Sequence, residues 1–494
     1  MKVNNRTTSF ALVASLLALS SCDKFLDVNQ NPNAVLEAPA PNVLVAGQAH
    51  LGFLMGSDLH RYSALIVQQF AGQGGSGIQT AEYDRYNITA TDLNNAWRGN
   101  IFGGAQADLQ KLIDQSAATS PAYSGVAKIM QGFLFSVTTD AFGDIPFTEA
   151  LKFDQNLQPK YDASAAVYTG IIELLNSGIA DLKKTSVTSP ADDDLIYAGD
   201  LVKWEKFANT LKLRLYLHNF PKLSQTSDAS FAAVLAAGPV MTGNEDNFEL
   251  DFEAAANKNN SIDQFEKSRP STFFPSTTLV NLMNAKEDPR RTTFLTEQPS
   301  LAAPAPQNPA GTYVGAQNGT GAAGAPQIRF SRMGTYLRGI RTGTGINSYD
   351  GSAPIRMLTF AEHNFILAEY YARTNNLALA QTSFNAGITA SMTAASVAGS
   401  DATAYIAARP PLTSANAIQQ IIEEKFIANF GVAVEPWTDY RRTGFPVLPL
   451  PVGALQPQVL RVLPYPDLER VANPTNTPAR PDLTAPTVFW DPGR

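Results

Sequence analysis

Cysteine is almost missing: Cys22 is the only one in 494 residues. A single thiol cannot close an intrachain disulfide, so no disulfide framework supports the fold. A chain of this length can bury a core large enough to do without one. Beyond residue 22 no apolar run approaches the roughly twenty residues that a membrane-crossing helix requires. Charge is also sparse, at 16 % of residues, and slightly acidic, with 37 Lys and Arg against 44 Asp and Glu. Nucleic-acid binding needs a basic face, and no basic cluster is present. Histidine is limited to His50, His60, His218 and His363, and no two have the one-turn spacing that seats zinc on a helix. Each reads as a structural or surface residue. Ser76, in Gly74-Gly75-Ser76-Gly77-Ile78, lacks the second glycine of a nucleophile elbow. No phosphate-binding loop ending in Gly-Lys-Ser/Thr occurs either.

What is present begins at the N-terminus. Lys2 and Arg6 precede an apolar run, Phe10–Leu19, and small residues lead into Cys22. That is the layout of a secretory signal peptide. Leu19-Ser20-Ser21-Cys22 also resembles a bacterial lipobox. The expectation is a signal peptide over 1–21, cleavage before Cys22, and lipidation of its thiol. The plainer alternative is an ordinary signal peptide with an incidental cysteine. Loss of Lys2 and Arg6 takes the formal charge from −7 to −9. A polar, proline-dotted spacer over 22–41 would join this anchor to the body. One acyl chain holds a protein only marginally, so a stable tether takes two or more.

Helical periodicity dominates from there, with apolar residues at three- and four-residue steps. It runs through Trp97–Ile113, Val126–Val137, Val167–Leu182 and Trp204–Leu215, and again near 360–373, 377–392 and 415–430. Each strip is amphipathic and must bury one face against a neighbour. Within 361–392, Leu367, Ala368, Tyr371, Ala380, Phe384 and Gly387 fall where a tetratricopeptide repeat sets small residues against bulky ones. The pairs 94–116 with 123–141 and 164–183 with 201–219 have similar lengths. The predicted fold is therefore mainly α, an α-α superhelix of tetratricopeptide-like helix pairs in a single domain over 42–494. An irregular, loop-rich insertion over 221–354, poor in helix and carrying a few short strands, would sit on that scaffold. Asn247–Phe252 alternates polar and apolar residues as a short strand does.

Two formal matches to chemical motifs carry little. Gly319-Thr320-Gly321-Ala322-Ala323-Gly324 fits the dinucleotide pattern, but no helix follows to receive a pyrophosphate. Asp192-Asp193-Asp194 offers the clustered oxygens that calcium favours, without a spaced ligand series. A solvated run with Asp192 or Asp193 capping a turn is the simpler account. Aromatic residues near arginines are the better candidates for binding. Tyr83, Arg85, Tyr86 and Trp97 lie in or beside the Gly-rich stretch 71–98, and Tyr313, Tyr336 and Arg338 lie in the insertion. A ring offers a flat apolar face to a sugar or a side chain, and neighbouring polar groups bond to its edges. The competing reading is that these rings pack loops onto helices, and Trp97 in particular starts an apolar helical strip.

Several blocks in order resemble the SusD/RagB family of surface lipoproteins, closest to its SusD-like branch. They are Phe142-Gly143-Asp144-Ile145-Pro146-Phe147, Asp194-Leu195-Ile196-Tyr197-Ala198-Gly199-Asp200, and Trp204-Glu205-Lys206-Phe207-Ala208-Asn209 with Leu211–Arg214. Leu358-Thr359-Phe360-Ala361-Glu362, Glu435-Pro436-Trp437-Thr438-Asp439-Tyr440-Arg441-Arg442, Leu463-Pro464-Tyr465-Pro466 and Trp490-Asp491 complete the set. Physically these blocks look structural: Gly143 and Pro146 should end a helix, and Asp439, Arg441 and Arg442 should tie helix ends together. Glu424-Lys425-Phe426 stands where a Gln-Lys-Trp type sequence is common, and the Pro-rich 299–310 stretch is individual to this chain.

The resemblance implies a protein without catalysis or cofactor, lipid-anchored at the outer membrane and facing the exterior. It would capture an oligosaccharide or peptide and deliver it to a TonB-dependent transporter of the SusC type. Two other classes stand beside this reading. A surface glycoside hydrolase would need paired carboxylates across a cleft, and nothing in the sequence pairs them. An architectural solenoid would bind only other proteins.

Overall fold

The computed structural model describes residues 38–219, 225–297, 311–321, 330–345 and 347–493. Cys22, the 1–21 leader, most of the 22–41 spacer, the 299–310 stretch and Gly324 lie outside these residues. The scaffold begins with α1 (Ala40–Gly56) and α2 (Asp58–Ile66), and the short strand β1 (Phe70–Gly72) follows. A wide π-helix over Asn95–Ala105 runs into α3 (Gln106–Ser116), then α4 (Pro121–Phe142). β2 (Ile145–Pro146) and β3 (Tyr161–Asp162) pair antiparallel ahead of α5 (Ser164–Leu182) and α6 (Leu201–His218).

Local chemistry accounts for the ends. Gly143 stops α4 at φ +79°, a conformation that costs a side-chain-bearing residue, and its N–H donates to Thr139 O at 2.7 Å. The Asp200 carboxylate caps α6 by accepting from the N–H groups of Val202 and Lys203. α4 and α5 cross closely because a Cβ on Gly125 would come within 2.9 Å of Gly178 O.

The segment expected to be poor in helix contains three helices of useful length. They are α7 (Gln225–Ala237), α8 (Ser261–Ser268) and α9 (Thr277–Ala285), with β4 (Phe248–Leu250) and β5 (Phe273–Pro275) between them. Asn260 caps α8 and Ser276 caps α9. β4 is the short strand that the alternation in 247–252 predicts, and it pairs antiparallel with β6 (Ile355–Leu358). Its Phe248 ring stacks on Phe207 of α6 at 3.8 Å and meets Phe133 of α4 edge-on at 5.1 Å. The insertion is thus fastened to the helical body by a buried aromatic cluster.

Beyond it come α10 (Phe360–Arg373), α11 (Leu377–Ala394), α12 (Gly399–Ala407), α13 (Ala417–Ala428) and α14 (Glu435–Thr443). α10 and α11 pack as the repeat pattern predicts. Phe365, Ala368, Ala380, Phe384 and Ile388 form one buried cluster, and the ring of Phe365 fills the space a side chain at Gly387 would take. Fully burying each of these phenylalanines is worth about 1.5–3 kcal/mol. Among the described residues no helix is long and apolar enough to cross a membrane.

Candidate ligand-binding site

The chain leaves α2 and turns sharply at Gln68, which holds φ at +56° and is fully buried. A buried amide must satisfy both of its ends. Gln68 donates from Nε2 to Pro449 O at 2.5 Å and accepts at Oε1 from the Thr278 hydroxyl at 2.7 Å. Its backbone carbonyl accepts from the Ser276 hydroxyl. The next residue, Gln69, donates to Phe426 O at 2.9 Å and Asn429 O at 3.1 Å. Two consecutive amides therefore join β1 to the start of α9, to the loop after α14 and to the end of α13.

β1 pairs antiparallel with β5, and the 315–321 strip lies against both. Its glycines are needed because backbones touch there. A Cβ on Gly321 would stand 2.0 Å from Gly72 O, and one on Gly319 would stand 2.0 Å from Val452 O. The dinucleotide-like run owes these two glycines to chain crossings. Asp84 sits beneath and is wholly buried; it accepts from Asn318 Nδ2 and Gly319 N, both at 2.6 Å. Burial pushes its carboxyl up to about 7, against the pull of these donors.

These segments border an open groove of about 770 Å³. Gln68, Thr278, Asn281, Gln317, Asn318 and Gln419 line it with amides and hydroxyls, and the proline-rich strap 446–452 forms one wall. Its carboxylate, Glu423, is taken by Lys286 at 3.4 Å. Gln68 and Asn318 are buried and already bonded, so the exposed amides of Asn281, Gln317 and Gln419 are what this surface offers to a hydroxyl-rich ligand, with Val447 and Leu450 exposed for its apolar faces. A second hollow of about 790 Å³ is mainly apolar and includes the edge of Trp97 with exposed Phe153, Leu157 and Val471.

The residues expected to bind do not meet in one place. Tyr86 is fully buried, with its hydroxyl on Ile66 O at 3.3 Å and Gln68 Nε2 at 3.4 Å, one side chain below the groove. Arg85 stands by the strap: its carbonyl accepts from Leu455 N at 2.8 Å, and its guanidinium holds Glu82 at 2.6 Å. Tyr83 is buried edge-on to Tyr62 at 5.1 Å and donates to Asp92 at 2.8 Å. Trp97 packs against Phe142 at 4.9 Å and donates to Glu469 at 3.2 Å. Tyr313 lies under Arg291 at 5.2 Å, and Tyr336 is held between Phe294 at 4.2 Å and Arg356 at 3.8 Å. Arg338 is wholly buried and donates to Asp263 at 2.8 Å.

Tyr83, Tyr86, Tyr336 and Arg338 are buried, so the competing reading, that they pack loops onto helices, describes their surroundings. A ring gains more by burying its face and pairing its hydroxyl than by waiting in water. The acidic run Asp192–Asp194 is not uniformly solvated, contrary to the simpler account. Asp194 is buried, and its carboxylate accepts from Gln48 Nε2 and Trp204 Nε1 at 2.7 Å and from Gly199 N at 3.1 Å. Asp193 accepts from the Tyr123 hydroxyl at 2.9 Å. Among the described residues no three His, Cys, Asp or Glu side chains converge as metal ligands. Sequence reasoning missed Gln68, Asn281, Gln317 and Gln419, which lie on four separate segments. The closely spaced Pro446, Pro449 and Pro451 are the one local signal that marked this wall.

Comparison with known proteins agrees with this architecture. Residues 42–466 match the SusD-like family described as starch-binding and associating with the outer membrane. No curated protein matches the sequence. A solved chitin-binding protein superposes with a TM-score of 0.75 at 22 % identity, covering 92 % of this chain and 100 % of its own. A chitin-binding SusD homologue from Flavobacterium johnsoniae gives 0.75 at 20 % identity, over 91 % and 98 % of the two chains. A SusD homologue from Bacteroides fragilis gives 0.71 at 21 %, over 88 % and 94 %.

Proposed function

The chain belongs to the SusD/RagB family, and from that membership we propose that it is a non-catalytic glycan-capture lipoprotein of the outer membrane. It binds oligosaccharides in the groove under the 446–452 strap and delivers them to a SusC-like TonB-dependent transporter. The observation that carries the reading is the lining of that groove by amides and hydroxyls from the helical body and the insertion alike. Sugar hydroxyls both donate and accept, and side-chain amides answer them in both senses. Hydrolysis of a glycosidic bond would need two carboxylates flanking the ligand. Glu423 is alone among the groove's described lining residues and is tied to Lys286, which supports capture without cleavage. Cys22 supplies the acyl anchor, and the surface facing the exterior receives the ligand.

Calorimetric titration of the purified protein with malto- and chito-oligosaccharides tests this. Saturable binding of at least one series is expected, weakened by Asn281→Ala combined with Gln317→Ala, with the glycan recovered uncut. Binding unaffected by both substitutions, no binding across the panel, or release of shorter products would overturn it.

A further inference from the structure

Three helices meet around a polar stripe of α6 where an apolar one is the rule. On α5, Asn176 and Ile179 lie one turn apart, and Lys183 follows just past its end; on α6, Glu205, Asn209, Lys212 and Tyr216 recur at helical spacing. α7 adds Ser230 and Val234. Facing surfaces of packed helices normally bury apolar side chains. Here they enclose an open hollow of about 400 Å³.

The charges in it do not balance. Lys183 Nζ meets Glu205 Oε1 at 2.8 Å, so those two neutralise each other. Lys212 is left over. The residue is only 9 % exposed, and its ammonium donates to the neutral Asn176 Oδ1 at 3.1 Å. No described carboxylate comes within 4 Å of this partly buried ammonium, although lysines with so little exposed surface are ordinarily paired. Burial lowers its pKa, with the charge on Lys183 adding to the effect and Glu205 opposing it. The rest of the wall is already committed: Asn209 Nδ2 donates to Pro239 O at 3.0 Å, and the Tyr216 hydroxyl pairs with Ser230.

We propose that this hollow is a binding site for a single carboxylate group, received by the ammonium of Lys212 between α5, α6 and α7. One uncompensated positive charge suits a monoanion. A dianion such as phosphate would also face the carboxylate of Glu205 across a small cavity. The carboxylate can belong to an acidic sugar or to the free end of a peptide, and both present the same two oxygens. The site is separate from the glycan groove and does not depend on it.

The test titrates the full-length protein with glucuronate, with a tripeptide bearing a free C-terminus, with the same tripeptide amidated, and with inorganic phosphate. Saturable binding of glucuronate or of the free-acid tripeptide is expected, and the one that binds identifies the source. Lys212→Met should weaken it about tenfold or more, the loss of one charge-assisted hydrogen bond. Glu205→Gln should tighten it, because the Lys183 charge is then released into the hollow. An opposite effect of the two substitutions separates binding from a general loss of fold. The proposal would be overturned by no binding of either carboxylate, by equal binding of the amidated peptide, or by Lys212→Met binding as the parent does. Preference for phosphate would overturn it as well.

Discussion

Arg442 and Glu369 face each other through two parallel hydrogen bonds, Nη1 to Oε1 at 2.9 Å and Nη2 to Oε2 at 3.0 Å, with both side chains fully buried. The bond joins α14 to α10. Asp439 takes Arg442 from the other side at 2.6 Å, and Lys425 of α13 reaches Asp439 at 2.9 Å and Glu435 at 2.6 Å. Arg214 of α6 closes the cluster with a forked pair to Glu362, each arm 2.7 Å. Arg441 differs from its neighbour: it donates to Arg461 O at 2.7 Å and lies over Trp437 at 4.0 Å. Burial alone would raise the Glu369 carboxyl, but Arg442 and Arg373 reverse that and hold it well below the usual carboxylate range.

Breaking one side of such a pair strands the other charge in the interior. Arg442→Met is expected to cost about 3–5 kcal/mol in urea unfolding, and Arg442→Met with Glu369→Leu less than the single change. Because the folded carboxyl is depressed, its stabilisation is complete above the unfolded value of roughly 4.3 and fades only as pH falls below that. The deficit of Glu369→Gln relative to the parent should therefore shrink in acid. A deficit unchanged down to about pH 3 would contradict the assignment.

His60 titrates in the opposite regime. Its ring packs edge-on against the stacked pair of Phe70 and Phe273, at 5.5 and 5.7 Å, and burial, helped by Arg61, lowers the imidazole to about 3. The unfolded chain binds this proton near 6.5 and the folded chain does not, so stability rises with pH across that window and levels off above it. At about pH 5 the cost is on the order of 2 kcal/mol. His60→Phe should flatten the dependence of the urea midpoint between about pH 4.5 and 6.5. Buried His363, lowered to about 4, contributes a nearly equal slope in the same window, so the substitution should remove about half of what the two histidines cause.

How far the sequence reaches follows from the range of each interaction. α5, α6, α10 and α11 follow apolar spacing because each buries a stripe against an adjacent helix, a constraint confined to a few turns, while α4 is buried on nearly every side. The small-against-large match of Phe365 and Gly387 was readable for the same reason. α7 was not, since Gln225–Ala237 is rich in alanine and shows no strong stripe. The groove escaped because Gln68 and Pro449 are 381 residues apart, and nothing local marks the bond between them. Tyr86 and Arg338 look the same in sequence whether buried or exposed; only their neighbours decide.

The chain crossing at Gly321 offers a test of the groove wall. A methyl group there would press on Gly72 O, and backbone cannot yield as a side chain tip does. Gly321→Ala should cost about 1–3 kcal/mol and weaken glycan binding beyond that loss. Gly99→Ala, where nothing stands within 4 Å, serves as the control and should leave binding unchanged. Equal affinity in both variants would dissociate the 315–321 strip from the ligand.

The proposed lipid anchor can be tested without the ligand. Cys22→Ala removes the thiol that acylation requires, and the variant should leave the membrane fraction and incorporate no labelled palmitate. Retention in the membrane without label would locate the attachment elsewhere in the chain.

Gln68 is the most direct handle on the strap. Its amide nitrogen is what holds Pro449 O, and its oxygen holds the Thr278 hydroxyl. Gln68→Glu keeps the shape and the second bond but sets a carboxylate oxygen against the proline carbonyl. The lost hydrogen bond and the new repulsion amount to about 1–3 kcal/mol at a buried position. The strap 446–452 should then open to proteolysis, because the bond that pins it is gone while the helices beneath stay paired. Glycan affinity should fall in the same variant, and Gln68→Met should do less harm by leaving no like charge. If cleavage in the strap is unchanged while affinity falls, the amide meets the ligand itself and does not act through the wall.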